Sequence, residues 1–147
     1  MGADQYDGAF LQEGAVYVYL GSASGVSTAL HAQRTGNQDF AYFGRSVSSA
    51  GDTNGDGYSD VLIGAPFFDA GQQNEGAVFL YRGTASGLAA GVSWSAQGNE
   101  RDALWTVSGL PVILTPMVEE VLLGAPDTDD GHVDAGQVRL HKGSAQA

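Results

Sequence analysis

Cysteine is absent from the 147 residues, which excludes a disulfide framework and any zinc–thiolate centre and leaves the redox compartment open. Basic residues are scarce: 6 Lys and Arg stand against 17 Asp and Glu, a formal net charge of −11. Such a chain is repelled by a phosphate backbone, so nucleic acid is excluded as a partner and cations suit its surface instead. Prolines number only 4, and the 22 glycines follow no three-residue period, so a collagen-like helix is excluded. No apolar run approaches the roughly 18 to 20 residues of a membrane helix, so this segment is not expected to insert into a bilayer. The N-terminal stretch lacks the charged start and apolar core of a signal peptide. Tyr6 stands where a myristoylation signal needs Ser or Thr. What is present is an apolar share of 43%, enough to build a core in a chain the length of one ordinary domain.

The main organisational feature is a repeat. GAVYVYLGSASGVS from Gly14 matches GAVFLYRGTASGLA from Gly76, and both match GQVRLHKGSAQA from Gly136. GADQYD from Gly2, GAPFFD from Gly64 and GAPDTD from Gly124 keep the same step, as do TGNQD from Thr35 and QGNER from Gln97. The spacing is 62 residues, then 60, which makes about two and a half units. The runs AVYVYL, AVFLYR, VLIGAP and VLLGAP are short, rich in β-branched and aromatic residues and bounded by glycine turns, so they read as strands. Their apolar residues fall on both faces, which suits strands covered on both sides. FGRSVSSAG and VSWSAQG alternate and add two more strands to the central unit, while no segment carries a sustained helical stripe. Four strands per unit, stacked face to face, predict an all-β fold: a partial β-propeller of four-stranded blades. Residues 1–42 form a partial first repeat, 43–104 a complete one, and 105–147 a degenerate, truncated third. A closed ring needs about 4 to 8 blades, so other repeats or other copies of the chain are needed to complete it.

The motif that carries chemistry is Asp52-Thr53-Asn54-Gly55-Asp56-Gly57-Tyr58-Ser59-Asp60. Oxygen-bearing side chains fall at positions 1, 3, 5 and 9, a spacing that lets a tight loop turn them towards one centre. Gly57 permits the sharp turn, the Tyr58 carbonyl at position 7 faces inward, and Asp60 closes the far side. Hard oxygen donors without sulfur or imidazole select calcium over zinc or copper, and over the more strictly octahedral magnesium. The plain alternative is an Asx-rich turn. An EF-hand is excluded, because Ile63 stands where that loop needs Glu and the flanks read as strands, not helices.

Phe43-Gly44, the 52–60 loop and Gly64-Ala65-Pro66 together resemble the FG-GAP repeat of integrin α heads and related bacterial surface proteins. The resemblance implies a seven-bladed propeller whose calcium is held by the side chains of Asp52, Asn54, Asp56 and Asp60 and the carbonyl of Tyr58. It implies an extracellular or cell-surface module that binds a protein or carbohydrate ligand through its loops and is not an enzyme. Calcium neutralises Asp side chains that otherwise repel one another. At millimolar calcium and a dissociation constant on the order of 0.1 mM, occupancy contributes roughly 1 to 1.5 kcal/mol. Cytosolic calcium leaves such a site empty, which favours export. The competing reading is a fragment of a propeller-type polysaccharide-active enzyme. That reading needs a cluster of His, Arg, Tyr or acids across several blades, and no such cluster is legible.

The third unit departs from the pattern. Before Gly124 it reads WTVSGLPVILTPMVEEVLLGAP, with adjacent Glu119 and Glu120 as its acids. Neighbouring strand residues point to opposite faces, so this pair makes no site. The chain is therefore expected to hold one cation site, the 52–60 loop, and not two, and the third unit is expected to be poorly packed. The unit reads either as a blade that lost its metal and filled the loop with apolar residues or as the product of a shifted reading frame, because from the third base of the Val112 codon the stretch to Val118 permits Asp-Thr-Asn-Ala-Asp-Gly. The acidic stretch from Asp127 to Asp134 lacks an Asp at its ninth position and reads as a solvated turn, with a weak cation site as the minor alternative. His31, His132 and His141 share no metal-ligand spacing. No phosphate loop or nucleophile elbow occurs, and Asp69 and Glu75 lie in a loop. Phe67 and Phe68 read either as ligand-facing or as core residues.

Overall fold

The computed structural model describes residues 1–98 in full, and the backbone of the strands at 112–115, 118–125 and 137–142. The strands are β1 (Gly2–Ala3), β2 (Ala15–Val18), β3 (Gly21–Ser22), β4 (Gly25–Val26), β5 (Ala32–Thr35), β6 (Ser46–Gly51) and β7 (Asp60–Ala65). They continue with β8 (Ala77–Tyr81), β9 (Gly83–Thr84), β10 (Gly87–Leu88), β11 (Trp94–Gln97), β12 (Val112–Thr115), β13 (Val118–Ala125) and β14 (Gln137–Lys142). Every paired strand is antiparallel, and there is no helix among the described residues.

The central sheet is a four-stranded meander in the order β11-β8-β7-β6. The first sheet, β1-β2-β5, repeats three of these strands. Its pairs Gly2↔Val16 and Ala15↔Thr35 reappear 62 residues on as Gly64↔Val78 and Ala77↔Gln97. The pairing of β13 with β14 repeats that of β7 with β8 at a spacing of 60, with Val121↔His141 answering Val61↔Tyr81. The sequence repeat is therefore also a register repeat. The difference in the third sheet is β12, which turns back onto β13 with Thr115 opposite Val118, whereas the whole 52–59 loop separates β6 from β7.

The two-residue period of a strand divides the apolar residues of the central sheet between two cores. Leu62 of β7 with Val78 and Leu80 of β8 join Ala50 on one face, against Trp94 and Ala96. Ile63, Ala65 and Tyr81 face the other way and meet Val16 of the first sheet together with Phe43, flanked by Phe68 and Phe79. Phe43 packs its ring against Phe79 and Tyr81, with centroids 5.7 and 6.4 Å apart. Each such side chain contributes about 1.5–3 kcal/mol when fully buried. β8 is covered on both sides, as its apolar run predicts, while Tyr17 of β2, on the face opposite Val16, stays half-exposed, because the first sheet meets a neighbour on the Val16 face.

Next to Phe43 the backbone turns at Gly44, whose φ is +88°. A Cβ there would lie 2.7 Å from the Ala15 carbonyl oxygen and 2.8 Å from Val16 Cγ2, so glycine alone fits this close approach of the two sheets. The Gly44 N–H donates to the Gly64 carbonyl at 3.0 Å, tying the start of the blade to the end of β7. Arg34 of β5 closes the same seam. Its Nη2 donates to the carbonyls of Ala89 (2.8 Å) and Leu88 (3.2 Å), and its guanidinium lies 5.9 Å from the Tyr81 ring centre.

Candidate metal centre

The 52–60 loop leaves β6 at Gly51 and delivers Asp60 as the first residue of β7. Gly55 and Gly57 take φ of +76° and +90°, which turns the intervening N–H groups inward. The Asp52 carboxylate receives them: Oδ1 accepts from Gly55 (2.8 Å) and Asp56 (3.0 Å), and Oδ2 from Gly57 (2.7 Å). These bonds hold the Asp52 carboxyl below its usual value. The Gly57 N–H has the largest effect, burial opposes it, and the N–H groups of Asp56, Gly55 and Asn54 add to it. Asp56 Oδ1 accepts from the Tyr58 N–H at 3.0 Å, and Oδ2 accepts from Asn54 Nδ2 at 2.8 Å. Asn54 is buried, and its Oδ1 has no hydrogen-bond partner among the described residues.

Asp60 is placed differently. It is fully buried and its carboxylate is gripped by protein donors. Oδ2 accepts the Thr53 N–H (3.0 Å) and the Thr53 hydroxyl, and Oδ1 accepts the Gly83 N–H at 2.8 Å. The structure thus joins Asp52, Asn54 and Asp56 through the loop and ties Asp60 to Thr53 and to the start of β9. Tyr58 is 42% exposed, with its Cβ close against Gly83. No three acidic or histidine side chains converge on one point among the described residues. The donor set nevertheless fits a hard cation. A buried carbonyl oxygen without a donor is costly unless something positive meets it, and Asn54 Oδ1 is such an atom. A carboxylate oxygen that accepts one bond, as Asp52 Oδ2, both oxygens of Asp56 and Asp60 Oδ1 do, keeps a second lone pair for a metal.

Two other buried acids stand apart from this loop. Glu13 Oε1 accepts from the Ala9 N–H (2.9 Å) and Oε2 from the Asn37 N–H (3.0 Å). Glu75 Oε1 accepts from the N–H groups of Ala70 (2.6 Å) and Gln72 (3.2 Å). Both are loop fasteners at the end of the sheets opposite the 52–60 loop, and Asp69 fastens the same loop as Glu75, its Oδ1 accepting from the Asn74 N–H at 2.6 Å. The signal for both was their recurrence at the 62-residue step. Phe68 joins the inter-sheet core, and the Phe67 ring packs tilted against Tyr42, with centroids 5.2 Å apart. His31 packs on Gly87. His132 and the 127–134 turn lie outside the described residues.

Residues 43–81, from the Phe43-Gly44 turn through β8, match the family model of the FG-GAP repeat. The chain carries an FG-GAP repeat. Its four-stranded central sheet is a β-propeller blade, and the described sheets do not close a ring. The chain is 40% identical over 93 residues to integrin alpha-5 of Xenopus laevis, covering 63% of this chain and 9% of that protein. It is 42% identical over 85 residues to integrin alpha-8 of Mus musculus, covering 58% and 8%. With integrin alpha-V of Gallus gallus it shares 33% identity over 129 residues, covering 87% and 11%. The chain therefore spans about a tenth of the length of the curated relatives it matches.

Proposed function

We propose that this chain is a calcium-binding segment of an FG-GAP propeller that serves adhesion or ligand binding outside the cell and has no catalytic role. The observation that carries the reading is the 52–60 loop, with its buried Asn54 oxygen unpartnered inside an all-oxygen donor set. Asp52, Asn54, Asp56 and Asp60 would hold the ion by side chain and Tyr58 by its carbonyl. The likeness to integrin alpha chains supports the adhesive role. So does the opposite end of the sheets, where the exposed Phe10, Leu11 and Phe40 sit on loops fixed by hydrogen bonds. There the Leu11 N–H donates to Asp39 Oδ1 at 2.8 Å, and the Phe40 N–H donates to the Leu11 carbonyl at 2.7 Å. A protein or carbohydrate ligand is the partner this surface suits, and the repeat 43–104 is the complete blade between a partial and a degenerate one. No helix among the described residues is long and apolar enough to cross a membrane, which says nothing of β-barrels. The test is calorimetric calcium titration of the chain and of Asp56→Ala, followed by thermal unfolding. One site, lost in the variant and accompanied by a higher melting temperature in the parent, is expected. No binding to the parent overturns the reading.

A further inference from the structure

Asp60 stands at the meeting point of two hydrogen-bonded segments. On one side it takes both donors of Thr53, inside the cation loop. On the other it takes the N–H of Gly83, the first residue of the β9–β10 hairpin. Gly83 lies close against the loop, because a Cβ there would meet the Ser59 carbonyl and lie 3.0 Å from Tyr58 Cβ, so only glycine fits this contact. The far strand of the hairpin, β10, with the residue after it, offers the Leu88 and Ala89 carbonyls to Arg34 of the first sheet. His31, the residue before β5, lies on Gly87. The hairpin is therefore held from below by the loop and from the side by the neighbouring sheet.

We propose that cation occupancy of the 52–60 loop tightens the seam between the first and second sheets, with Asp60 as the positioning residue that transmits it through the β9–β10 hairpin to Arg34. The inference rests on the cation reading above and adds a consequence to it. An ion that fixes the loop fixes Thr53 and Asp60, and with them the hairpin whose carbonyls Arg34 holds. Coupling between sites is reciprocal, so weakening the Arg34 contact must weaken cation binding at a loop Arg34 does not touch.

The test is calcium titration of the 147-residue chain, Asp56→Ala and Arg34→Met. Arg34→Met is expected to bind about fivefold more weakly than the parent, at the low end of measured couplings, and Asp56→Ala to lose binding. Parent and Arg34→Met binding with equal affinity overturns the coupling and leaves the cation site standing. A parent that does not bind overturns both. Should Arg34→Met fail to fold, hydrogen exchange in the parent, followed by NMR at backbone amides and at the Arg34 Nε–H that donates to the Ala89 carbonyl (3.3 Å), decides. Calcium is expected to slow exchange at the Gly83 N–H and the Arg34 Nε–H, and unchanged exchange at both overturns the inference.

Discussion

Asp60→Asn separates two roles that one side chain can play in this loop. The Asp60 carboxylate is fully buried and accepts three protein hydrogen bonds, two from Thr53 and one from Gly83. An amide has the same shape but one acceptor oxygen, and its NH2 must face a donor: the Thr53 pair if the oxygen serves Gly83, or Gly83 if the oxygen serves Thr53. Hydrogen bonds to a charged group are worth about 1.5–3 kcal/mol each, and a buried donor left unpaired costs about 1–3 kcal/mol. Loss of at least one bond and exposure of at least one donor to another gives a destabilisation of about 3–5 kcal/mol. This cost arises from protein donors alone, so it is expected with calcium removed by chelator. Asp56→Ala, exposed and bonded within its own loop, is expected to change stability under chelator by less than about 1 kcal/mol. Urea unfolding of the three proteins in chelator, monitored by far-ultraviolet circular dichroism, makes the comparison. Equal midpoints for the parent and Asp60→Asn in chelator, with a gap opening only on calcium addition, would refute the latch and reduce Asp60 to a ligand.

Phe43→Ala is expected to cost about 3–5 kcal/mol through the cavity left between the sheets. Gly44→Ala is expected to cost at least about 1–2 kcal/mol from the left-handed backbone alone, plus displacement of the Ala15 carbonyl; an unchanged urea midpoint for either would contradict the packing. The Asp52 carboxyl is held below its unfolded value of 3.8, so its stabilising contribution is complete above that pH and is lost as pH falls through the lower folded value. Asp52→Asn should accordingly be less stable than the parent near neutrality, with the gap closing as pH falls below 3.8 and through the lower folded value; a gap independent of pH would show that the loop N–H groups do not favour the ionised form. At the gene, the frame that begins at the third base of the Val112 codon admits only Tyr, His, Asn or Asp at the three positions matching Asp52, Asn54 and Asp56. Met117 followed by Val118 forces Gly at the position of Gly57. The codons are expected to spell Asp or Asn at all three, and a Tyr or His at two of them would end the idea of a displaced second loop.

Much of the blade was legible because a repeat supplies its own alignment. The strands expected within 43–51, 61–66, 77–82 and 92–98 appear as β6, β7, β8 and β11, and Val61 and Phe79 share a face with Ile63 and Tyr81 as their period requires. The loop's oxygen spacing was also visible. What stayed hidden depends on distance along the chain. Gly83 lies 23 residues from Asp60, and only strand pairing brings them together, so Asp60 read as a cation ligand and not as a joint. Thr53 was passed over because position 2 of such a loop needs no oxygen for a metal, yet it bonds Asp60 twice. Glu13 and Glu75 look like surface acids in a glycine-rich stretch. Their burial follows from the N–H groups that the curled loops turn inward, which no local pattern reveals.

Arg34 shows that the repeat does not extend to every joint. At the 62-residue step its counterpart is Ala96, on a strand of matching length and register. The backbone plan is copied from sheet to sheet, but this fastener is not. An alanine side chain carries no donor, so the clasp that Arg34 gives the first seam belongs to that joint and not to the template.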